Sequence, residues 1–366
     1  MKECIRETKT VAYFLDPLLI GEKDPWQQFS AVKESCLVDT LRHNKVGMAF
    51  KRKLEFDSIL KEKIFGAFPR VQVFCDYIEL KSEKDSIAFS GIKRQFSEGN
   101  IEFMLIKSDG SFPYESDNLD ILIRPSMLGK VLTLLRKAGY SELPQARERN
   151  KYLFRDTHTP EVLPLHIHTE VEWEERFLDS AYLWQRSETA CNNGGFSVPS
   201  PEDCVLITLA HLFFENHEIK LADLLKITSK LRNCNLNWDY MFGHAKRLHW
   251  DDAFCLAISL VNLVHKDLCG KDMLPEKVLS KIGDTNPRYF TLFQRILKPF
   301  SSGCAPINIP YNISALFFLL RVLRESDLPL VKRFKHIDRV ASNVLRERIV
   351  ARTLRSKKLG FFGAFE

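Results

Sequence analysis

The chain has no run of eighteen or more apolar residues, so a membrane-spanning helix is not expected. It also has no Cys-x-x-Cys. Its nine cysteines stand apart at positions 4, 36, 75, 191, 204, 234, 255, 269 and 304, an odd number. That pattern fits reduced thiols in a cytosol better than a disulfide framework or a zinc cage. The opening MKECIRETKTVAYFLD scatters charges and lacks the apolar core of a secretory leader, so a cytoplasmic location is expected. No internal repeat and no low-complexity tract occurs.

What is present is ordinary for a soluble globular chain. The 366 residues are 45% apolar and 27% charged, enough for two or three domains with real cores. The net charge of +6 is uneven. Arg321–Lys358 carries twelve Lys/Arg against four Asp/Glu, a local +8 that leaves −2 for the remainder. Arginines mixed with apolar residues there read either as a surface for nucleic acid or another anionic partner, or as a solvated amphipathic helix.

The periodicity predicts four regions. Residues 1–96 hold an irregular arm over 1–25, with Pro17, Gly21 and Pro25, and then helices. Apolar residues recur at three- and four-residue spacing from Phe29 to Leu41, from Leu54 to Phe65 and through Val71–Phe89. Residues 97–190 form an α+β core. Phe103–Ile106, Leu119–Ile123, Lys151–Arg155 and Val162–Val171 read as strands, and Ser126–Ala138 as a helix between Pro125 and Gly139. Residues 191–300 are helical, and 301–366 form a basic helical segment.

The chemistry is concentrated in Ile101–Arg124, IEFMLIKSDGSFPYESDNLDILIR. Residues two apart on a strand share a face, so Asn118 and Asp120 present oxygen ligands side by side while Leu119 and Ile121 enter a core. A hard cation such as Mg²⁺ suits that arrangement, with phosphate oxygens and water filling the rest. The other reading is a strand-start cap or turn. Lys107, Ser108, Gly110 and Ser111 combine a lysine with turn amides that hold phosphate oxygens, although Asp109-Gly110 is also an ordinary hairpin signal. In Leu163–Trp173, strict alternation puts His166, His168, Glu170 and Glu172 on one face, which suits a cleft, a transition-metal site or a solvated strand. His211, Lys220 and Asp223 are further candidates whose spacings of nine and three residues leave their mutual geometry open; the other reading is caps and helix-surface charge.

These motifs, in this order, resemble the nucleotidyltransferase signature of the DNA polymerase β superfamily, a Gly-Ser turn followed by Asp-apolar-Asp on the next strand. The closer resemblance is to the uncharacterised large nucleotidyltransferase-like family, over roughly residues 70–230. Leu163–Trp173 is similar to its third active-site strand and Val198–Ile227 to its following helices. The chain departs from the pattern where Asn118 holds the first carboxylate position and His166 the third.

The resemblance implies a nucleotidyltransferase-like α+β fold: a small mixed sheet with flanking helices, followed by a helical region. It implies transfer of a nucleoside monophosphate from an NTP to an acceptor, a small molecule, protein or RNA, with Mg²⁺ or Mn²⁺. Asp120 is then the principal ligand, Asp117 or Asn118 the second, and Glu170 or the His166 position the third. Lys107 and the Ser108, Gly110 and Ser111 turn hold the triphosphate, beside His166 and His168. Asp120 and the 166–172 strand are expected to be adjacent, with polar groups on the order of 4–8 Å apart. As a cleft carboxylate, Asp120 is expected to contribute little to packing. The missing carboxylates leave a second expectation, a weak or inactive relative that binds nucleotide or a partner. A third is a nucleic-acid-binding protein using Arg321–Lys358.

Overall fold

Among the described residues of the computed structural model, six helices precede the first strand: α1 (Ile5–Leu15), α2 (Pro25–Phe29), α3 (Glu34–His43), α4 (Gly47–Glu55), α5 (Ser58–Ala67) and α6 (Pro69–Glu98). The structure describes residues 5–16, 25–107, 115, 117–143, 150–159, 162–173, 175–189, 195–285, 307–309, 313 and 316–317. Part of the expected irregular arm is therefore helix. Val11, Phe14 and Leu15 of α1 are buried, and Phe14 packs edge-on against Phe29 and Phe50. This apolar face outweighs the breakers Pro17 and Gly21 that follow it. Asp57 caps α5 by accepting from the Leu60 amide, and Pro69 opens α6, where its missing N–H costs nothing.

Next come β1 (Phe103–Leu105), β2 (Leu119–Ile123), a short 3₁₀ turn at Pro125–Met127, α7 (Leu128–Lys137), β3 (Tyr140–Glu142), β4 (Lys151–Asp156) and β5 (Leu165–His168). β6 (Glu172–Trp173), β7 (Glu175–Arg176), α8 (Ser180–Arg186), β8 (Glu188–Thr189) and β9 (Ser197–Val198) follow. The last part runs through α9 (Pro201–Ala210), a π-helical turn at His211–Asn216, β10 (Glu218–Ile219), α10 (Leu221–Asn233), α11 (Trp238–Arg247), α12 (Asp251–Cys269), α13 (Glu276–Thr285) and β11 (Ile307–Asn308).

Seven strands form one mixed sheet in the order β3-β4-β5-β2-β1-β9-β8. β2 runs antiparallel to β1 and parallel to β5, and β4 is antiparallel to β5. Alternation divides the faces. Phe103, Leu105, Leu119, Ile121, Ile123, Tyr152, Phe154, Leu165 and Ile167 point into one core with Ile92 and Phe96 of α6 and Val131 and Leu135 of α7. Each such side chain contributes about 1.5–3 kcal/mol by leaving water. The odd register that buries Leu119 and Ile121 sends Asp120 to the opposite face. The fold is α+β, a mixed sheet flanked by helices, as a nucleotidyltransferase-like domain requires.

The expected Val162–Val171 strand is shorter, pairing only over Leu165–His168. Gly139, at φ +89°, ends the α7 region in a conformation that favours glycine. Residues Met1–Pro310 form one compact unit and Tyr311–Glu366 a second. Within the second, only residues 313, 316 and 317 are described, so Arg321–Lys358 lies outside the described residues. Among the described residues no helix is long and apolar enough to cross a membrane.

Candidate active site

Asp120 sits near the start of β2, directly opposite His166 on β5. The residue is only 1% exposed, so it is a buried carboxylate and not a rim one. His168 Nε2 donates to Asp120 Oδ1 at 2.9 Å. His166 Nδ1 and Lys107 Nζ each stand 3.4 Å from the same oxygen. At that length His166 Nδ1 makes no hydrogen bond, and it is a buried polar atom without one. The spacing is tighter than that expected of a metal-bridged set. Asp120, His166 and His168 offer one oxygen and two nitrogens within 4.8 Å of one another.

A second carboxylate, unforeseen from the sequence, completes the cluster. Glu215 lies on the π-helical turn after α9, a local irregularity that recurs at functional sites. Its carboxylate takes Lys107 Nζ at 2.9 Å and Lys151 Nζ at 3.1 Å, one on each oxygen. His211 Nδ1 donates to Glu215, and His211 Nε2 accepts from the Asn216 amide at 2.8 Å. Lys151 opens β4 opposite His168. Lys226 of α10 donates to the Lys107 carbonyl at 2.7 Å and fixes the end of β1. Two lysines and two carboxylates thus interlock, drawn from the residues just after β1, from β2 and β4, and from the π turn.

Electrostatics follow from this packing. Burial pushes the Asp120 carboxyl up, but Lys107 and the two imidazoles outweigh it and hold it well below the usual range. Burial acts on Glu215 in the same direction and is overcome by Lys107, His211 and Lys151. Lys107 is raised, because Asp120 and Glu215 offset its own desolvation. Burial lowers both His168 and His211, which keeps them neutral. With both carboxylates ionised and both lysines charged, the interlocked quartet is neutral.

The other expected ligands lie elsewhere. Asp117 is 76% exposed and pairs with Lys45. Asn118 precedes β2 and is half-buried. Glu170 accepts from Ser180 Oγ at 2.6 Å, with Arg176 Nε 3.9 Å away, and Glu172 accepts from Asn150 at 2.9 Å. The strand ends at His168, so the alternation does not carry Glu170 and Glu172 onto the imidazole face. Ser108, Gly110 and Ser111 lie outside the described residues. Asp223 closes a capping box with Lys220, the capping role expected of it.

Residues 115–265 match the model of a family described as an uncharacterised nucleotidyltransferase. The match takes in Asp120, both site histidines, Lys151, His211 and Glu215, and begins eight residues after Lys107. No curated protein and no solved structure matches the chain. Over that segment the chain is similar to a nucleotidyltransferase family.

Proposed function

We propose that this cluster transfers a nucleoside monophosphate from an NTP to an acceptor hydroxyl or phosphate in the cytoplasm. The observation that supports it best is the convergence of Asp120, Lys107 and Lys151 at one end of the sheet, with Asp120 and Lys151 inside the segment that carries the family match and Lys107 just before it. Lys107 and Lys151 are the groups that would take polyphosphate oxygens as point charges. For them to do so, the NTP must displace Glu215, whose carboxylate is held as an anion between the two lysines.

The donor set bears on the metal. Mg²⁺ takes oxygen ligands, and two of the three groups here are imidazoles. The same three groups fit Mn²⁺, which accepts imidazole as well as carboxylate. Asp120, His166 and His168 would hold it, with the unpaired His166 Nδ1 as the first open position. When bound, such an ion supplies charge to the developing phosphoryl transition state. Asp117 or Asn118 joins the set only by breaking away from its present neighbours.

A weak or inactive relative that binds nucleotide is the second reading, and one contact favours it. Lys107 already neutralises Asp120, the carboxylate of the candidate ligand set. Thermal stabilisation by NTPs with Mn²⁺ or Mg²⁺, followed by transfer of radiolabelled NTP in cell extract, separates the two. Label transfer that Asp120→Asn abolishes supports the enzyme. Nucleotide binding without transfer under any condition supports the second reading. Absence of both refutes the two together.

A further inference from the structure

We infer that Asp16, His265 and Cys269 form a separate site for a transition dication of the zinc class, which ties α1 to the end of α12. Their ligand atoms, a carboxylate oxygen, an imidazole nitrogen and a thiol sulfur, lie within 4.8 Å of one another. Asp16 is 2% exposed and His265 2%. None of the three belongs to the cluster around Asp120.

Two observations point to a cation there. The first is the state of His265. Its Nδ1 faces the Lys271 carbonyl at 3.0 Å, and a carbonyl only accepts, so the hydrogen sits on Nδ1. Its Nε2 then faces the Asp16 carboxylate at 2.8 Å, across the position an ion would take. A ring nitrogen donating to a backbone carbonyl while the other faces a ligand position is the usual support of a metal-bound histidine. The second observation is the backbone. Asp16 directly follows α1, and its amide still bonds the Ala12 carbonyl. Cys269 is the last residue of α12, which Gly270 ends at φ 78°. Two helix C-termini, each the negative end of its dipole, meet around a carboxylate, and that place favours a cation.

The charges around the ion balance. With a dication bound, a carboxylate, a neutral imidazole and a thiolate surround it, and ion and ligands sum to zero. Zinc bonds of about 2.0–2.3 Å set tetrahedral ligand spacings of about 3.3–3.8 Å, which the cluster reaches by small side-chain shifts. The fourth position is left for water.

The test uses the full chain, stripped with chelator and titrated with Co²⁺. A thiolate-to-cobalt charge-transfer band at one equivalent, displaced by Zn²⁺, is the expected result. The Asp120 cluster has no sulfur and gives no such band. Cys269→Ser should lose the band and weaken Zn²⁺ binding at least tenfold, and Cys234→Ser should keep both. Zn²⁺ should also raise the thermal midpoint of wild type and not of Cys269→Ser. A wild-type protein without the band, or a Cys269→Ser variant that retains it, overturns the site.

Discussion

Replacing Asp120 tests the central cluster most directly, because the buried carboxylate supports structure as well as chemistry. Asp120→Asn keeps the shape and removes the charge. It weakens one good hydrogen bond, from His168 at 2.9 Å, and removes the ion pair with Lys107 at 3.4 Å. Breaking a buried pair by removing one partner costs about 3–5 kcal/mol. Lys107 keeps Glu215 at 2.9 Å and is not stranded, so the loss should fall near the lower end, about 3 kcal/mol. The pH dependence has a definite sign. The folded carboxyl is held below its ordinary value, so its contribution is present above about pH 4 and fades as pH falls through the lowered folded value. Urea denaturation of wild type and Asp120→Asn at pH 7, and again at the most acid pH where both fold, should show a gap that narrows with acid. Lys107→Met added to Asp120→Asn should cost less than the sum of the two single changes. A gap under about 1 kcal/mol at pH 7 contradicts the picture of a buried, charge-locked cluster.

Two further outcomes follow from other parts of the fold. Glu115 accepts from the Gly47 amide at 2.9 Å, and burial pushes its carboxyl up to about 7. A raised carboxyl makes stability fall as pH climbs from about 4.5 to 7. Glu115→Gln should flatten that slope in thermal scans and gain up to about 3 kcal/mol at pH 8. Phe154 is fully buried in the sheet core, so Phe154→Ala should lose about 3–5 kcal/mol in denaturant titration with an unchanged m-value.

The strand carrying Asp120 was legible because its alternation is strict: Leu119, Ile121 and Ile123 go to one core and the acid to the other face. His166 and His168 were legible for the same reason, and their pairing with β2 followed. Glu170 and Glu172 continued the alternation on paper, but β5 stops at His168, where Thr169 bonds back to the Asn150 carbonyl. Helix α1 was hidden by the proline and glycine just beyond it, since its stability comes from Phe29 and Phe50, partners local spacing does not reveal. Lys151 read as an ordinary strand start. Glu215 could have been found as the acid four residues after His211, the i,i+4 spacing that lets two side chains meet on a helix. Cys269 and His265 gave a local pair, but their third partner is 249 residues from His265.

The π-helical turn at His211–Asn216 has a consequence for how this protein tolerates changes in length. An α-helix advances about 100° per residue, so deleting one residue between His211 and Glu215 would swing the carboxylate roughly a quarter-turn or more away from both lysines. Every side chain would keep its identity and the helix would become more regular, yet Lys107 and Lys151 would lose their shared anion. Segment length between His211 and Glu215 is therefore as much a determinant of the cluster as any of its side chains, and an insertion or deletion there is a sharper perturbation than most substitutions.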